Sequence, residues 1–122
     1  MTNFYNWNRV SVNYCDGSSF TGDVEEVNTV REENFRGARI YSKSCSTGFM
    51  ANGLQNAKYA ILSGSSAGGL ATILNWDKFK SFFSNDSIMV KCVASAGFFI
   101  DINTISGAPY IQKMYQNVED LH

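Results

Sequence analysis

The sequence predicts an α/β fold, a parallel sheet with flanking helices, in a single domain of 122 residues. Two short apolar runs, residues 58–63 and 88–94, are bounded by turn-forming residues, as is typical of buried parallel strands. Each run is followed by apolar residues at helical spacing. The order strand, helix, strand, helix is the pattern of a parallel sheet whose crossovers are helices.

The N-terminal part of the sequence predicts a strand, a turn and a loop. Val10 and Val12 alternate with polar residues, which indicates a half-buried strand over residues 10–14. The cluster at residues 15–19 predicts a turn, because its Asp and Gly residues tolerate unusual backbone dihedral angles. Residues 21–34 are polar and acidic, and we expect a surface loop there.

A helix is expected over residues 35–54 for topological reasons alone. A crossover has to return the chain to the sheet, and this segment is in the right place to do so. The residues themselves support a helix poorly, because residues 41–48 have weak helix propensity and no apolar stripe.

The second half of the sequence predicts a strand, a turn, a helix and a second strand. Residues 58–63 form the first strand, and residues 64–69 form a glycine-rich turn. The helix after this turn has Leu70, Ile73, Leu74, Phe82 and Phe83 at helical spacing. Residues 85–86 close the helix, and residues 88–94 form the second strand, which ends at Gly97.

A last helix begins at Ser106 or Gly107. Pro109 then falls in its first turn, where proline is tolerated because the missing N–H has no intrahelical acceptor. Its apolar face consists of Tyr110, Ile111, Met114, Tyr115, Val118 and Leu121.

The glycine-rich turn, Gly-Ser-Ser-Ala-Gly-Gly at residues 64–69, fits the G-x-S-x-G pattern of a nucleophile elbow between a strand and a helix. Ser66 is the candidate nucleophile, because so tight a turn lifts its hydroxyl clear of the sheet. Gly64 and Gly68 lack the side chains that would clash in this turn. The backbone N–H of Ala67, at the helix N-terminus, is a candidate oxyanion donor.

The alternative is a glycine- and serine-rich turn with no chemical role, since such turns are common where a helix follows a strand. A phosphate-binding loop fits less well, because no Lys-Ser or Lys-Thr pair follows the glycines. A dinucleotide-binding fingerprint also fits less well, because the glycine spacing differs and no acidic residue follows at the expected distance.

A nucleophilic serine needs a general base, normally a histidine oriented by a carboxylate. The single histidine of the sequence, His122, is its last residue, and we do not expect a terminal residue to be held against Ser66. The acids downstream of Ser66 are Asp77, Asp86, Asp101, Glu119 and Asp120. Asp77 and Asp86 flank the helix after Ser66, and we expect them to be solvated or to cap helices.

The composition argues against several other functions. Ten basic and eleven acidic residues, without a basic run, give no footing for nucleic acid or for an anionic membrane surface. No stretch reaches the roughly 18 consecutive apolar residues of a membrane span, and no signal-peptide pattern is present. Cys15, Cys45 and Cys92 are too few and too widely spaced for a zinc site, so we predict neither a metal nor a cofactor. These cysteines either include an unpaired or externally paired thiol, or are all reduced and buried.

Six stretches of the sequence occur in the order found in one family: residues 6–10, 14–23, 35–39, 56–58, 62–70 and 96–99. They include Tyr-Cys-Asp-Gly-Ser-Ser-Phe-Thr-Gly-Asp and Leu-Ser-Gly-Ser-Ser-Ala-Gly-Gly-Leu. Together they resemble the plant pectin acetylesterases, a family related to the Notum carboxylesterases. Because they cover nearly the whole chain, this resemblance is far more specific than the elbow alone.

The resemblance implies a secreted hydrolase of the plant cell wall, with an α/β-hydrolase fold, that removes acetyl esters from pectin by Ser–His–Asp chemistry without a metal. It assigns the nucleophile to Ser66 and an oxyanion donor to Ala67. It places the family's Gly-rich oxyanion segment upstream, and its Asp and His downstream, of this sequence. We therefore expect residues 1–122 to be a central fragment of one α/β-hydrolase domain, with little or no turnover by itself.

The sequence departs from the family at three places. Ser65 stands where plant members have Cys, although Notum-type members have Ser; Ser95 replaces an Asp; and the segment after residues 35–39 is a poor helix former. The missing triad partners, together with Ser95 and the poor helix former, favour an alternative function, a non-catalytic remnant or pseudoenzyme of the same family. A third hypothesis, an esterase acting on lipid-modified protein, rests on Ser65 alone.

Overall fold

Two parallel strands and four α-helices organise the part of the chain that the computed structural model describes, residues 4–13, 15–25, 34–84 and 87–119. In chain order the elements are α1 (Gly37–Lys43), a π-helix (Ser44–Phe49), a 3-10 turn (Leu54–Asn56), β1 (Tyr59–Ser65), α2 (Ala67–Leu74), α3 (Trp76–Ser81), β2 (Met89–Ser95) and α4 (Tyr110–Glu119). No helix within these ranges is long and apolar enough to span a bilayer.

The sheet consists of β1 and β2, which run parallel and in register from the Tyr59–Met89 pair to the Ser65–Ser95 pair. Helices α2 and α3 provide the crossover between the two strands. Both predicted strands are confirmed, and so is the predicted α/β class with a parallel sheet and flanking helices.

The sheet is covered by helices on one face and bare on the other. On the covered face, Ala60 is buried in a core that it shares with Phe20, Tyr41, Cys45, Ala71 and Phe79. On the opposite face, Tyr59 is 57% exposed and Met89 is 53% exposed. The prediction of buried strands is therefore wrong for this face, because no layer covers it within the described ranges.

The segment after residue 36 is helical, as the topology required. The prediction that it lacks an apolar stripe is wrong: Gly37, Tyr41 and Cys45, spaced four residues apart, are all buried. Phe49 continues this stripe and packs against the core. The stripe is hard to see in the sequence because glycine and cysteine do not stand out as packing residues. In the folded chain, burial of the stripe outweighs the weak helix propensity of its neighbours.

The N-terminal arm, defined here as residues 4–13, contains no strand. The predicted strand over residues 10–14 is wrong for residues 10–13, which have no regular structure, and Tyr14 lies outside the described residues. Val12 packs against the core, but Val10 is 65% exposed. Residues 10–13 pair with no strand in the described ranges, so their backbone groups lack the partners that a strand requires.

The predicted turn at residues 15–19 is confirmed and is tied to helix α1. Gly17, Ser19 and Phe20 have positive φ angles of 75°, 51° and 58°. The carboxylate of Asp16 accepts hydrogen bonds from the Ser18 hydroxyl at 2.9 Å and from the Gly37 N–H at 2.5 Å. Because Gly37 is the first residue of α1, Asp16 satisfies one of the amides that the helix leaves unpaired.

The loop predicted over residues 21–34 is confirmed at residues 21–25 and 34, which have no regular secondary structure; the residues between them lie outside the described ranges. Val24 N–H donates to the Phe35 carbonyl at 2.8 Å, and Arg39 forms ion pairs with Asp23 and Glu25.

The helix predicted after the glycine-rich turn is two short helices, α2 and α3. Asn75 stands at the break, where its side-chain amide donates to the Ala71 carbonyl at 3.0 Å and competes with the helical pattern. Leu70 is buried as predicted and Phe82 and Phe83 pack against the core, but the predicted apolar residues Ile73 and Leu74 are 46% and 48% exposed. Phe79, which the predicted apolar set did not include, is buried, and its ring lies edge to face with that of Phe83 at 5.3 Å. The predicted stop at residues 85–86 lies outside the described residues.

The last helix, α4, begins at Tyr110 and not at Ser106 or Gly107. Residues 104–108 form a closed turn instead, in which the Thr104 hydroxyl accepts from the Ala108 N–H at 3.0 Å and Gly107 has a φ of 82°. Ile111, Met114 and Tyr115 are half-buried, as the predicted apolar face requires, whereas Tyr110 is exposed. The side chains of Val118 and Leu121 lie outside the described residues.

Candidate active site

Ser66 stands alone between the last residue of β1 and the first residue of α2. Its φ of 55° and ψ of −117° lie in a region that residues with a Cβ rarely adopt. Such a conformation costs about 1–3 kcal/mol and persists only where the surroundings enforce it. Because no loop separates the strand from the helix, the Ser66 side chain remains exposed at the carboxyl end of the sheet.

The sharpness of the turn depends on glycine at position 64. A Cβ there would overlap the backbone carbonyl of Gly68, because the first turn of α2 lies directly against the end of β1. A Cβ at Gly68 would meet nothing within 4 Å, so the described residues give no steric reason for glycine at that position. Sequence reasoning missed Gly69 instead, where a Cβ would lie 2.9 Å from the Ser95 carbonyl oxygen.

Two backbone hydrogen bonds fix Ser66. Its N–H donates to the Ser95 carbonyl at 3.0 Å, and its own carbonyl accepts from the Leu70 N–H at 3.0 Å, which starts α2. The Ser66 N–H is thus already used. The N–H of Ala67, the first residue of the eight-residue helix α2, has no acceptor within that helix. The helix N-terminus also favours negative charge beside Ser66.

A second strained turn, at residues 95–97, supports the elbow. Ala96 follows β2 with a φ of 48°, and Gly97 approaches the position of a Gly69 Cβ to 3.4 Å. The contact between Ser95 and the elbow runs through the Ser95 backbone, and the Ser95 side chain is exposed. Replacement of the family's Asp by Ser at this position therefore leaves the hydrogen bond to Ser66 intact.

The general base is not found among the described residues. No hydrogen bond joins the Ser66 hydroxyl to a titratable group within the described ranges, and His122, Asp120 and Asp86 lie outside them. Asp77 lies in the first turn of α3, and Asp101 accepts from the Gln112 amide at 3.3 Å on an exposed surface. This geometry is compatible with the expectation that Asp77 is a solvated or capping residue. It is also compatible with Ser66 as a nucleophile whose general base is not among the described residues.

The cysteines are divided between surface and core. Cys15 and Cys92 are exposed and Cys45 is buried, so the interpretation of three buried thiols is wrong for two of them. Burial raises the pKa of the Cys45 thiol, which therefore stays protonated at neutral pH. Across the described ranges, no group of three His, Cys, Asp or Glu side chains is arranged to hold a metal ion.

Nearly the whole chain matches one known family. The family described as Pectinacetylesterase matches residues 2–122. The chain belongs to this family. It is 51% identical over 119 residues to pectin acetylesterase 7 of Arabidopsis thaliana, an alignment that covers 98% of this chain and 30% of that protein. Pectin acetylesterase 11 of the same plant is also 51% identical over 119 residues, with the same coverage.

The Notum proteins are more distant relatives. The palmitoleoyl-protein carboxylesterase Notum of Mus musculus is 30% identical over 118 residues, covering 87% of this chain and 23% of that protein. The chain therefore spans less than a third of the length of these relatives. No solved structure gives a significant match. The predicted resemblance to the plant pectin acetylesterases, and more remotely to Notum, is confirmed.

Proposed function

We propose that this chain is the nucleophile-bearing part of a serine esterase that removes acetyl groups from pectin. The observation that carries the proposal is the strained backbone of Ser66 between β1 and α2, with its hydroxyl exposed and a helix N-terminus beside it. Membership of the pectinacetylesterase family supports the substrate class, an acetylated polysaccharide of the plant cell wall. A secreted location follows from the same proposal.

The chemistry divides into two acyl transfers. The Ser66 Oγ attacks the acetyl carbonyl and gives its proton to the general base, and the Ala67 N–H stabilises the oxygen that becomes negatively charged. The bond between the acetyl carbon and the sugar oxygen breaks, the sugar hydroxyl leaves with a proton from the general base, and Ser66 becomes acetylated. Water then attacks this ester and releases acetate and free Ser66. No metal and no cofactor takes part in this scheme.

The general base, the carboxylate that orients it and a second oxyanion donor come from outside the described residues. We propose that residues 1–122 are a central part of one α/β-hydrolase domain; the alignment with only 30% of the plant relatives supports the part of this proposal that the domain is longer. The isolated chain is accordingly expected to show little or no turnover. Without its base, a triad serine retains only the part of catalysis that the oxyanion site and binding provide.

A chimera tests this function directly. The 119 aligned residues of Arabidopsis pectin acetylesterase 7 are replaced by this chain, and release of acetate from acetylated pectin is measured. We expect Ser66→Ala to lower kcat by at least about 1,000-fold, while the neighbouring control, Ser65→Ala, stays within about threefold of the parent chimera, since its hydroxyl has no part in the scheme. A Ser66→Ala chimera that keeps its activity would contradict the assignment.

The second candidate function is a non-catalytic remnant of the same family. It is favoured by the absence, within the described ranges, of a titratable group bonded to Ser66, and by the departure at Ser95. The chimera separates the two. An inactive parent chimera that is folded and soluble supports the remnant, whereas an active one whose activity depends on Ser66 excludes it.

A further inference from the structure

A groove of about 440 Å³ is lined by helix α3 and by the helical segment that starts with α1. Apart from Ala38, every described residue that lines it is charged or carries a hydroxyl group: Asp23, Arg39, Ser42, Lys43, Ser46 and Lys78. We call it the basic groove, because three of these side chains are cations and one is an anion. Its volume lies within the range of ligand-binding pockets, about 300–1,000 Å³.

The helical segment presents its groove residues on the side away from the core. Residues 39, 42, 43 and 46 have the i, i+3, i+4, i+7 spacing that places side chains on one face of a helix. The buried residues Gly37, Tyr41 and Cys45 lie on the other side. Lys78 joins the groove from α3, whose next residue, Phe79, is buried and anchors that helix in the core.

Two of the three cations have no carboxylate partner. The Arg39 guanidinium forms ion pairs with Asp23 and with Glu25, so the Asp23 carboxylate of the groove is already paired. The ammonium groups of Lys43 and Lys78 form no ion pair within the described ranges. Because positions 39, 43 and 78 are not adjacent in the chain, this concentration of positive charge does not show as a basic run in the sequence.

The groove also contains a hydroxyl group that is available to donate. The Ser42 hydroxyl makes no hydrogen bond within the described ranges, although the residue is half-buried. Its backbone carbonyl is used instead, as the acceptor for the Ser46 hydroxyl at 2.8 Å. Two unpaired ammonium groups and an unused O–H form a set in which donors predominate, and such a set favours an anionic ligand.

The basic groove lies away from Ser66. Helix α2 begins beside Ser66, and its eight residues span about 12 Å. Lys78 lies in the next helix, α3, which follows the far end of α2. A group held in the groove is therefore not the group that Ser66 attacks, whereas a polymer extends from one place to the other.

We propose that the basic groove binds carboxylate groups of the pectin chain whose acetylated residue lies at Ser66. Pectin is a chain of galacturonate residues, each of which carries a carboxylate unless it is methyl-esterified. The identity of this polysaccharide rests on the proposed function. Lysine ammonium groups on flexible stems suit such a ligand, because they accept a carboxylate in many orientations. The groove therefore gives the esterase a preference for stretches of low methyl esterification, through contacts that are equal in the ground state and the transition state.

Binding of a chain without acetyl groups tests the groove independently of activity. The probe is an oligogalacturonate that carries neither acetyl nor methyl groups, added in an NMR titration to the 122-residue chain and to the Ser66→Ala chimera. We expect the side-chain signals of Lys43 and Lys78 to shift and those of Lys80 and Lys113 to stay unchanged. The fully methyl-esterified oligosaccharide should shift none of them. Absence of a shift at Lys43 and Lys78 in both proteins overturns the proposal.

A matched pair of double variants separates the groove from the overall charge of the protein. Lys43→Gln with Lys78→Gln removes the two unpaired cations of the groove, and Lys80→Gln with Lys113→Gln removes two exposed cations outside it. In the chimera, we expect the groove variant to raise KM for acetylated pectin of low methyl esterification by about 3- to 10-fold and to leave kcat unchanged, since exposed charge pairs are individually weak. The control variant should change KM by less than about twofold. Equal increases in the two variants overturn the proposal.

Two further measurements are decisive. Hydrolysis of para-nitrophenyl acetate, a small neutral ester, should be the same in the groove variant and its parent; a loss there means that the lysines support the fold and overturns the proposal. Inorganic phosphate should displace the oligogalacturonate only weakly, and displacement at an equal concentration of charge assigns the groove to small anions instead. If the parent chimera is inactive, the proposed function fails, while the NMR titration of the groove and control variants still decides whether the groove binds galacturonate.

Discussion

The nucleophile elbow and the N-terminal arm lie near the same strand, β1, and differ in how much of their environment this chain supplies. The elbow is held by Gly64, Gly69 and the turn at residues 95–97, all within the described ranges. The arm borders a cavity of about 1110 Å³ and adopts none of the structure that its sequence predicts. The strained backbone of Ser66 is therefore held in place by residues that lie close to it in the sequence, whereas a strand in a regular conformation forms only beside a partner strand.

The difference follows from the distance along the chain over which each feature is stabilised. The parallel pairing of β1 with β2, joined by α2 and α3, brings Ser95 against Ser66. Every contact that bends the elbow then lies within about thirty residues, inside one crossover unit. The arm instead pairs with neither strand of this unit. The contacts that shape the turn at Ser66 are thus all present within this unit.

The largest expected effect comes from breaking the elbow at Gly64. In Gly64→Ala the new Cβ would overlap the Gly68 carbonyl, a backbone atom that cannot move without shifting α2. We expect the free energy of unfolding of the chimera to fall by about 3 kcal/mol or more, measured by urea denaturation. Activity should fall further than stability explains, because the position of Ser66 depends on the same turn.

Gly68→Ala is the matched control, since a Cβ at this position meets nothing within 4 Å. Alanine in place of glycine in a helix stabilises by about 0.5–1 kcal/mol, so we expect unchanged or slightly raised stability. If the two variants unfold at the same urea concentration, the close approach of α2 to β1 is not what shapes the elbow.

A smaller effect is expected at Asp16, which connects the turn after the N-terminal arm to helix α1. Asp16→Ala removes the acceptor for the Gly37 N–H and for the Ser18 hydroxyl. Loss of a helix cap together with a half-buried hydrogen bond lowers the free energy of unfolding by about 2 kcal/mol. Thermal and urea unfolding of the chimera measure this loss.

Asp23→Ala provides the comparison for Asp16, because Asp23 is also an acidic loop residue but is exposed and paired with Arg39 on the surface. Exposed ion pairs of this kind contribute about 0–1 kcal/mol. A loss for Asp23→Ala as large as that for Asp16→Ala would mean that the Asp16 carboxylate does not cap α1.

The sequence was sufficient for the elements whose partners are close in the chain. The two strands, the α2 crossover and the turn at Ser66 were all predicted from short patterns, because each is stabilised within one strand–helix–strand unit. The arm shows the opposite case. Alternation of Val10 and Val12 indicates what the segment does beside a neighbouring strand, and it says nothing about whether that neighbour is part of the same chain.

Other features of the site depend on packing that short patterns do not record. The need for glycine at position 69 arises from the carbonyl of Ser95 at the end of β2, and the positive φ of Ala96 belongs to the turn after that strand; a sequence pattern does not show which backbone atoms approach each other. The burial of Tyr41 and Cys45 similarly depends on where α1 lies. Gly37, the first residue of α1, is the feature of the sequence that reflects this position, because a Cβ there would overlap the Asp16 carboxylate.

The smallest expected effect is at Tyr41, in the covered half of the molecule. Its hydroxyl is buried without a hydrogen-bond partner in the described ranges, and the weakly polar Cys45 thiol beside it does not meet the geometric requirements of one. Removing an unsatisfied buried hydroxyl is neutral or favourable, so Tyr41→Phe should raise the free energy of unfolding of the chimera at pH 7 by up to about 1 kcal/mol. The exposed Tyr110→Phe is the control and should change nothing.

The same substitution has a pH signature. Burial raises the pKa of Tyr41 well above its ordinary value of 10.0, and burial also raises the pKa of Cys45 above 9.0. A group whose pKa is higher in the folded state stabilises fully below its unfolded pKa, and this stability is lost as the pH rises above that value. We therefore expect stability to decline above about pH 9 and less steeply in Tyr41→Phe, where only Cys45 still contributes. Parallel decline in the variant and its parent would show that the Tyr41 hydroxyl reaches solvent in the complete domain.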